Sequence, residues 1–238
     1  MGIAYSSDTY NDTFWLKRRL HRQRYDQALK HLEIKGEERV LDYGGGDGYF
    51  LRLIAKYQPA AVLSGFEPYS VKYQQLKEDF KDSPIKIYSS VEEIKKQKFE
   101  KIACLETAEH LSDNDLKLLF ENIHRLLSDY GCLVITVPIE IGLPALFKYA
   151  YRWMKRPGYD NLNIINYLKS IFGLRIERKV SQLPQNLNYI FSHVGFDHRH
   201  FEARLARFFL IKEKACYPFP PLGTVLNNTL YYVCEKYP

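Results

Sequence analysis

The feature of the sequence that most constrains the fold is a cluster of glycines between an apolar run and a helical pattern. Four of the 13 glycines fall within positions 44–48, directly after the strand-like run 39–43. Glycine permits a positive φ and lets the backbone approach a ligand closely, and the helix that follows presents unpaired N–H groups to that ligand. A strand, a glycine turn and a helix in this order indicate a cofactor-binding α/β fold, a pattern that several such folds share.

Strand-like and helical patterns alternate up to about residue 138 and predict a parallel sheet with helices on both faces. We predict strands at 39–43, 62–67, 85–88, 101–106 and 132–138. We predict helices at 13–32, 48–57, 70–80, 91–97 and 113–128. Near the end of the chain, a helix at 196–208 precedes two strands, 209–215 and 229–235, with no helix between them. This order predicts an antiparallel pair at the sheet edge.

The segment 139–195 interrupts this alternation and is too long for a plain connection. Its two helical patterns, 143–155 and 162–172, predict a helical insertion after the fifth strand. A chain of 238 residues is the usual size of one domain carrying such an insertion. We therefore divide a single domain into a helical lid (1–36), a cofactor-binding core (37–138), the insertion (139–195) and a closing helix with antiparallel strands (196–238).

Composition adds few further constraints. The four cysteines lack the spacing of a zinc site or a disulfide framework, and we see neither a secretory signal nor a membrane-spanning stretch. A cytoplasmic protein is therefore expected. The net charge of +6 hints at an anionic partner.

Two acids narrow the range of ligands that the glycine turn could bind. Asp42 ends the first strand just before the glycines, where its carboxylate would repel a bound pyrophosphate. Glu67 ends the second strand, 19 residues after Gly48, where a carboxylate can accept hydrogen bonds from both ribose hydroxyls. The pattern Asp42-x-Gly44-x-Gly46-x-Gly48 resembles motif I of class I S-adenosylmethionine-dependent methyltransferases, and segments 65–68, 99–111 and 131–138 resemble the motifs that follow. An NAD-binding Rossmann domain and a glycine turn without a ligand are the competing interpretations.

The resemblance implies a Rossmann-like, doubly wound sheet of seven strands, mostly parallel with an antiparallel last strand. It implies S-adenosylmethionine as cofactor, with Asp42 at the methionine amino end and Glu67 on the ribose hydroxyls. Ser90 or Val91 would lie beside the adenine, and Glu106 would face the methyl-transfer centre. The implied cofactor-binding residues are Asp42, Gly44, Gly45, Gly46, Glu67, Pro68, Ser90, Val91 and Glu106.

Glu106, Glu109 and His110 form a second cluster, after the fourth strand. Together with a later histidine, His193 or His198, two carboxylates and an imidazole suit a hard divalent cation. The same Glu-x-x-Glu-His arrangement occurs in ubiquinone-biosynthesis and small-RNA 2′-O-methyltransferases, where it binds magnesium. We take Glu106, Glu109, His110 and His193 as catalytic candidates without a committed metal, and Mg²⁺ through Glu106, Glu109, His110 and His198 as the less favoured hypothesis. Without a metal, the cluster would orient the substrate, or His110 would act as a general base.

The partners suggested by the sequence are a small-molecule, sugar or lipid-linked acceptor, methylated at oxygen. A basic run at 17–24 is short and belongs to no recognisable RNA-binding module, which argues against nucleic acid. The pattern at 143–156 has an apolar stripe and a cationic side with Lys148 and Arg152, and a membrane contact is one use of such a helix. Two further functions are compatible with the sequence: RNA 2′-O-methyl transfer with a metal, and a non-catalytic binding module of the same fold.

Overall fold

The computed structural model describes residues 15–155 and 161–238, which form an α/β fold around a seven-stranded sheet. The helices are α1 (Trp15–Leu32), α2 (Tyr49–Tyr57), α3 (Ser70–Asp79), α4 (Val91–Ile94), α5 (Asp113–Leu126), α6 (Leu143–Lys155), α7 (Ile164–Ile171) and α8 (His198–Leu205). The strands are β1 (Arg39–Tyr43), β2 (Val62–Phe66), β3 (Lys86–Tyr88), β4 (Phe99–Leu105), β5 (Leu127–Pro138), β6 (Ser181–Leu183), β7 (Leu187–Tyr189), β8 (Leu210–Tyr217) and β9 (Thr229–Glu235).

The sheet order is β3-β2-β1-β4-β5-β9-β8, with parallel pairing from β3 through β5. Strand β9 pairs antiparallel with both β5 and β8. The predicted fold class is therefore confirmed, including the parallel core and the antiparallel closing strand. In such a sheet the carboxyl ends of β1, β2 and β4 meet at one edge, which is where ligands of open α/β sheets bind.

Alternate residues of the central strands pack into two separate apolar cores. On β4, Ile102 and Cys104 belong to one core, while Ala103 and Leu105 belong to the other. Successive side chains of a strand point to opposite faces, so the sheet is covered on both sides. Burial on both faces explains why continuous stretches of these strands, such as 102–105 of β4, are apolar and do not alternate with polar residues.

The structure differs from the sequence prediction mainly at element ends and in the insertion. Strand β5 begins at Leu127, directly after α5, where the prediction had the helix continuing to 128. The hairpin β6–β7 was not predicted, since its strands are three residues each and carry little pattern. Helix α1 buries Ala28 and Leu32 and contacts β4, β5 and β9, so the last part of the predicted lid is a packed helix. Residues 1–14 of that lid lie outside the described residues.

Candidate active site

The glycine turn after β1 is hydrogen-bonded to the end of β2. The amides of Gly44 and Gly45 both donate to the carbonyl of Phe66, at 2.8 and 3.0 Å. Gly44, Gly46 and Gly48 have φ values of 89°, 57° and 73°, a region that other residues rarely adopt. The turn therefore depends on glycine for its backbone as well as for space.

Gly44, Gly46 and Gly48 differ in the space around them. A Cβ on Gly44 would lie 2.5 Å from Thr107 Oγ1, and one on Gly48 would lie 2.6 Å from the ring of Phe80. A Cβ on Gly46 would meet only the carbonyl oxygen of Gly44, at 3.8 Å. Gly44 and Gly48 are thus required by packing, while Gly46 borders open space in which a ligand can approach the backbone.

Two buried acids line this turn. Asp42 is 3% exposed, and burial, together with the charges of Asp47 and Glu67, raises its pKa to about 7. Glu67 accepts from the amide of Gly46 at 3.0 Å and from that of Tyr69 at 2.9 Å, and burial raises its pKa. Clustered carboxylates disfavour a pyrophosphate and favour a cationic ligand, as the sequence indicated for Asp42.

Glu106 follows β4 with a strained backbone. Its φ is 51°, and its amide donates to Thr136 Oγ1 at 3.1 Å. Arg24 of α1 donates to one carboxylate oxygen, Oε2, while Oε1 is buried without a hydrogen-bond partner among the described residues. A left-handed conformation in a residue other than glycine costs about 1–3 kcal/mol and is common at functional sites.

Glu109, His110 and His193 come together beside Glu106. Each brings one ligand-type atom to within 4.8 Å of the other two. Glu109 is fully buried, and neither of its carboxylate oxygens has a hydrogen-bond partner among the described residues. Burial first, and then the charge of Glu106, raises the pKa of Glu109 well above its ordinary value. An unpaired buried carboxylate facing two imidazoles is costly unless it is protonated or bound to a cation.

The orientation of His110 follows from its contacts. Its Nδ1 lies 2.8 Å from the carbonyl oxygen of Ile190 and must donate to it, which leaves the lone pair on Nε2. The ring stacks on Tyr189, with centroids 4.6 Å apart, and meets the ring of His193 edge-on at 4.9 Å. Burial lowers the pKa of His110 to about 4, so the imidazole is neutral at pH 7.

A match to the profile of a known family shows which family this chain belongs to. The profile of the family described as methyltransferase domain matches residues 15–197, a range that includes the glycine turn, both acids and the Glu109–His110–His193 cluster. The chain belongs to the methyltransferase domain family. It is an S-adenosylmethionine-dependent methyltransferase.

Solved structures agree on the fold of the methyltransferase. The PH0226 protein of Pyrococcus horikoshii OT3 superposes with a TM-score of 0.63 at 13% identity, over 98% of this chain and 96% of that one. The mycolic acid cyclopropane synthase CmaA1, in complex with SAH and CTAB, gives 0.61 at 12% identity, over 96% and 88%. A S-adenosylmethionine-dependent methyltransferase of Clostridium acetobutylicum ATCC 824 gives 0.58 at 11% identity, over 98% and 96%. No curated protein matches the chain.

Three of the predicted cofactor-binding residues also have structural roles in the methyltransferase. Ser90 is the N-cap of α4: its Oγ accepts from the amide of Glu92 at 3.2 Å, and its own amide donates to Glu93 at 2.9 Å. Val91 packs against the apolar core. Pro68 lies between Glu67 and Tyr69, inside the turn that the Glu67 carboxylate closes. These three contacts with the cofactor stay predictions.

The histidine beside Glu109 and His110 is His193, and His198 is not part of that cluster. His198 is the first residue of α8, and its carbonyl oxygen lies 3.5 Å from the hydroxyl of Tyr232. Of the four residues in the less favoured metal hypothesis, the structure therefore groups Glu109 and His110 with His193, and it leaves Glu106 and His198 outside that group. Sequence spacing alone did not separate the two, because they stand five positions apart in the same segment.

Sequence reasoning missed a buried charge cluster next to His193. Glu140 is fully buried and binds Lys148 at 3.0 Å and Arg152 at 2.6 and 2.9 Å, and it lies 3.9 Å from His193 Nδ1. Burial alone would raise the pKa of Glu140, but these two cations hold it well below its ordinary value. Its place two residues after β5, at the same edge of the sheet, is the signal that could have identified it.

Proposed function

We propose that the methyltransferase transfers a methyl group to a hydroxyl oxygen of a small-molecule, sugar or lipid-linked acceptor. The observation that carries the proposal is the Glu109–His110–His193 cluster beside Glu106. His110 follows β4 at the carboxyl-end edge of the sheet, where the cofactor turn also lies, and its Nε2 is a hydrogen-bond acceptor. A membrane contact through 143–156 would bring a lipid-linked acceptor to the insertion, which contributes His193.

The cofactor site follows from the acids and glycines of the turn. Asp42 pairs with the methionine ammonium group, and Glu67 accepts from the ribose hydroxyls. Gly44, Gly45 and Gly46 pass close to the cofactor, with Gly46 bordering the open space. The clustered negative charge of Asp42, Asp47 and Glu67 suits a ligand that carries both a sulfonium and an ammonium.

Methyl transfer is an in-line displacement and depends chiefly on proximity and alignment. The acceptor oxygen bonds to the methyl carbon as the sulfur–methyl bond breaks, and the bonding pair stays on sulfur. His110 Nε2 accepts the hydrogen bond of the hydroxyl, orients the oxygen and takes the proton as the new bond forms. His193 and Tyr189 hold the His110 ring in place, and Glu140 positions His193.

A second candidate is RNA 2′-O-methyl transfer supported by a divalent cation, and the unpaired carboxylate of Glu109 favours it. Glu109, His110 and His193 offer the oxygen and nitrogen donors that such a cation takes, and the two buried carboxylate oxygens lack hydrogen-bond partners among the described residues. When bound there, the cation would acidify the acceptor hydroxyl and lessen the demand on His110 as a base.

The test is transfer of a labelled methyl group from S-adenosylmethionine to a panel of hydroxylated small molecules, glycolipids and short RNAs. Labelling of a small hydroxylated acceptor in metal-free buffer with EDTA supports the first candidate. Labelling of RNA 2′-hydroxyls that stops with EDTA and returns with Mg²⁺ supports the second. Calorimetry that detects neither S-adenosylmethionine nor S-adenosylhomocysteine binding would contradict both and leave a non-catalytic module.

A further inference from the structure

Two helices of the insertion turn large apolar side chains toward solvent. On α6, Leu143, Phe147 and Tyr151 recur every four residues, and Phe147 is 62% exposed. On α7 and just after it, Ile165, Leu168 and Phe172 are exposed, Phe172 to 72%. We call these six residues the outward apolar surface.

The opposite sides of both helices are already occupied. The ring of Tyr149 on α6 is fully buried 5.4 Å from that of Tyr167 on α7, and its hydroxyl lies 2.8 Å from Ser170 Oγ. Lys148 and Arg152 are turned inward to Glu140. Lys148 and Arg152 of the predicted cationic side are therefore covered, and residues of the apolar stripe face outward.

The insertion is rich in exposed apolar side chains. Among the described residues, 11 of the 21 exposed large hydrophobic residues fall within 139–195. Soluble domains rarely expose contiguous apolar patches of more than a few hundred Å² unless the patch binds a partner. A covering surface is therefore expected for each of the two helices.

The charge of the insertion indicates which kind of surface covers the two helices. The segment 139–195 has eight Lys and Arg against three Asp and Glu. Lys148 and Arg152 bind buried Glu140, and Arg178 donates to backbone carbonyls, so the rest of the segment has five Lys and Arg against two acids, a net charge of +3. Arg175 and Lys179 are exposed shortly after Phe172, and the one acid between them, Glu177, is exposed as well. A second copy of the chain would bring the same positive charge against itself. An anionic bilayer accepts aromatic and aliphatic side chains in its interface and Lys and Arg at its headgroups.

We propose that the insertion docks the methyltransferase on an anionic lipid surface through the outward apolar surface, with Arg175 and Lys179 at the headgroups. This contact differs from one made by the amphipathic helix at 143–156 alone, because α7 takes part and Lys148 and Arg152 do not. It lies outside the cofactor turn, and its test needs no methyl transfer, so failure of the proposed activity and failure of docking are separate results.

The test is flotation of the full chain with vesicles of phosphatidylglycerol and phosphatidylcholine. The variant Phe147→Ser/Phe172→Ser changes two exposed rings, and Tyr130→Ser/Phe219→Ser is the matched control with two exposed rings outside the insertion. We expect binding of the first variant to fall by about tenfold or more, and the control to bind as the wild type does. Thermal unfolding and S-adenosylmethionine binding of both variants verify that they fold.

Three results would overturn the docking proposal. One is a wild type that does not float with the anionic vesicles, and another is a Phe147→Ser/Phe172→Ser variant that binds as tightly as the control. The third is equal binding to vesicles of phosphatidylcholine alone, since loss of the anionic lipid is expected to weaken binding by about tenfold. Sedimentation that finds a wild-type dimer, abolished by the same variant without any vesicle binding, would identify a second copy as the occupant.

Discussion

Arg24, on α1, donates to the carboxylate of Glu106, the residue that follows β4. Both side chains are less than one-fifth exposed. The pair joins the N-terminal helix to the proposed place of methyl transfer, so the last arginine of the basic run faces an acid of the site.

We expect Arg24→Gln to destabilise the protein, because it leaves a shielded Glu106 carboxylate with neither oxygen in an ion pair. The free energy of unfolding should fall by about 1–3 kcal/mol, measured by urea denaturation. Arg22→Gln, at an exposed position on the same helix, is the control and should change it little. In the double variant Arg24→Gln/Glu106→Gln most of the loss should be restored, and a double variant as unstable as Arg24→Gln would argue against the pair.

Gly46→Arg should abolish S-adenosylmethionine binding, because its side chain would enter the open space beside the turn. Gly36→Arg is the matched control: Gly36 also has a φ near 60°, and a Cβ there meets nothing within 4 Å. Both substitutions place a side chain at positive φ and should cost about 1–2 kcal/mol of stability. Only Gly46→Arg should lose the calorimetric binding signal. Equal binding by the two variants would remove the cofactor from this turn.

S-adenosylmethionine affinity should fall as the pH is lowered through about 7, the raised pKa of Asp42. Protonation removes the carboxylate charge that pairs with the ammonium group of the cofactor. Asp42→Asn should bind more weakly and show a flatter dependence between pH 6 and pH 8. Calorimetry at several pH values measures both, and an unchanged slope in the variant would assign the dependence to another group.

The same carboxyl should cost stability in the cofactor-free protein. The pKa of Asp42 in the folded protein lies above the ordinary value of 3.8. The contribution of the protonated carboxyl to the free energy of unfolding is therefore fully present below pH 3.8 and is lost as the pH rises to about 7. At pH 8, Asp42→Asn should therefore unfold at a higher temperature than the wild type, by the equivalent of about 1–4 kcal/mol. A lower unfolding temperature at pH 8 would show that Asp42 has a stabilising partner.

Glu67→Ala should weaken S-adenosylmethionine binding by about 1–3 kcal/mol, since the ribose hydroxyls lose a charged acceptor. Glu67→Gln keeps one acceptor oxygen and should fall between Glu67→Ala and the wild type. Glu92→Ala, an acid on the surface of α4, is the control. Wild-type affinity in Glu67→Ala would refute the ribose assignment.

The pair His193→Asn and His198→Asn separates the two histidines that the sequence offered. We expect His193→Asn to lower kcat by about 10–100-fold, with S-adenosylmethionine affinity retained, because the change loosens the His110 ring that orients the acceptor. His198→Asn should keep kcat at the temperatures where the variant is folded. Comparable losses of kcat in the two variants would contradict the assignment of His193.

The fold was largely predictable because most buried positions of the core strands are apolar and because the glycines and acids of the cofactor turn stand at strand ends. The insertion was harder. Its helices are amphipathic, but periodicity alone does not say which face is covered, and here Glu140 draws Lys148 and Arg152 inward. The partner of His110 depended on the path of the chain between β7 and α8, which no local pattern encodes.

The position of β9 has a consequence for the chain while it is being synthesised. Thr229–Glu235 lies between β5 and β8 and supplies hydrogen bonds to both, yet it is made after both of them. Until those seven residues have emerged from the ribosome, β5 is an open edge and β8 has no place in the sheet. A nascent chain therefore exposes the hydrogen-bonding groups of β5 to other strands, and demand for chaperones should be greatest just before β9 is complete.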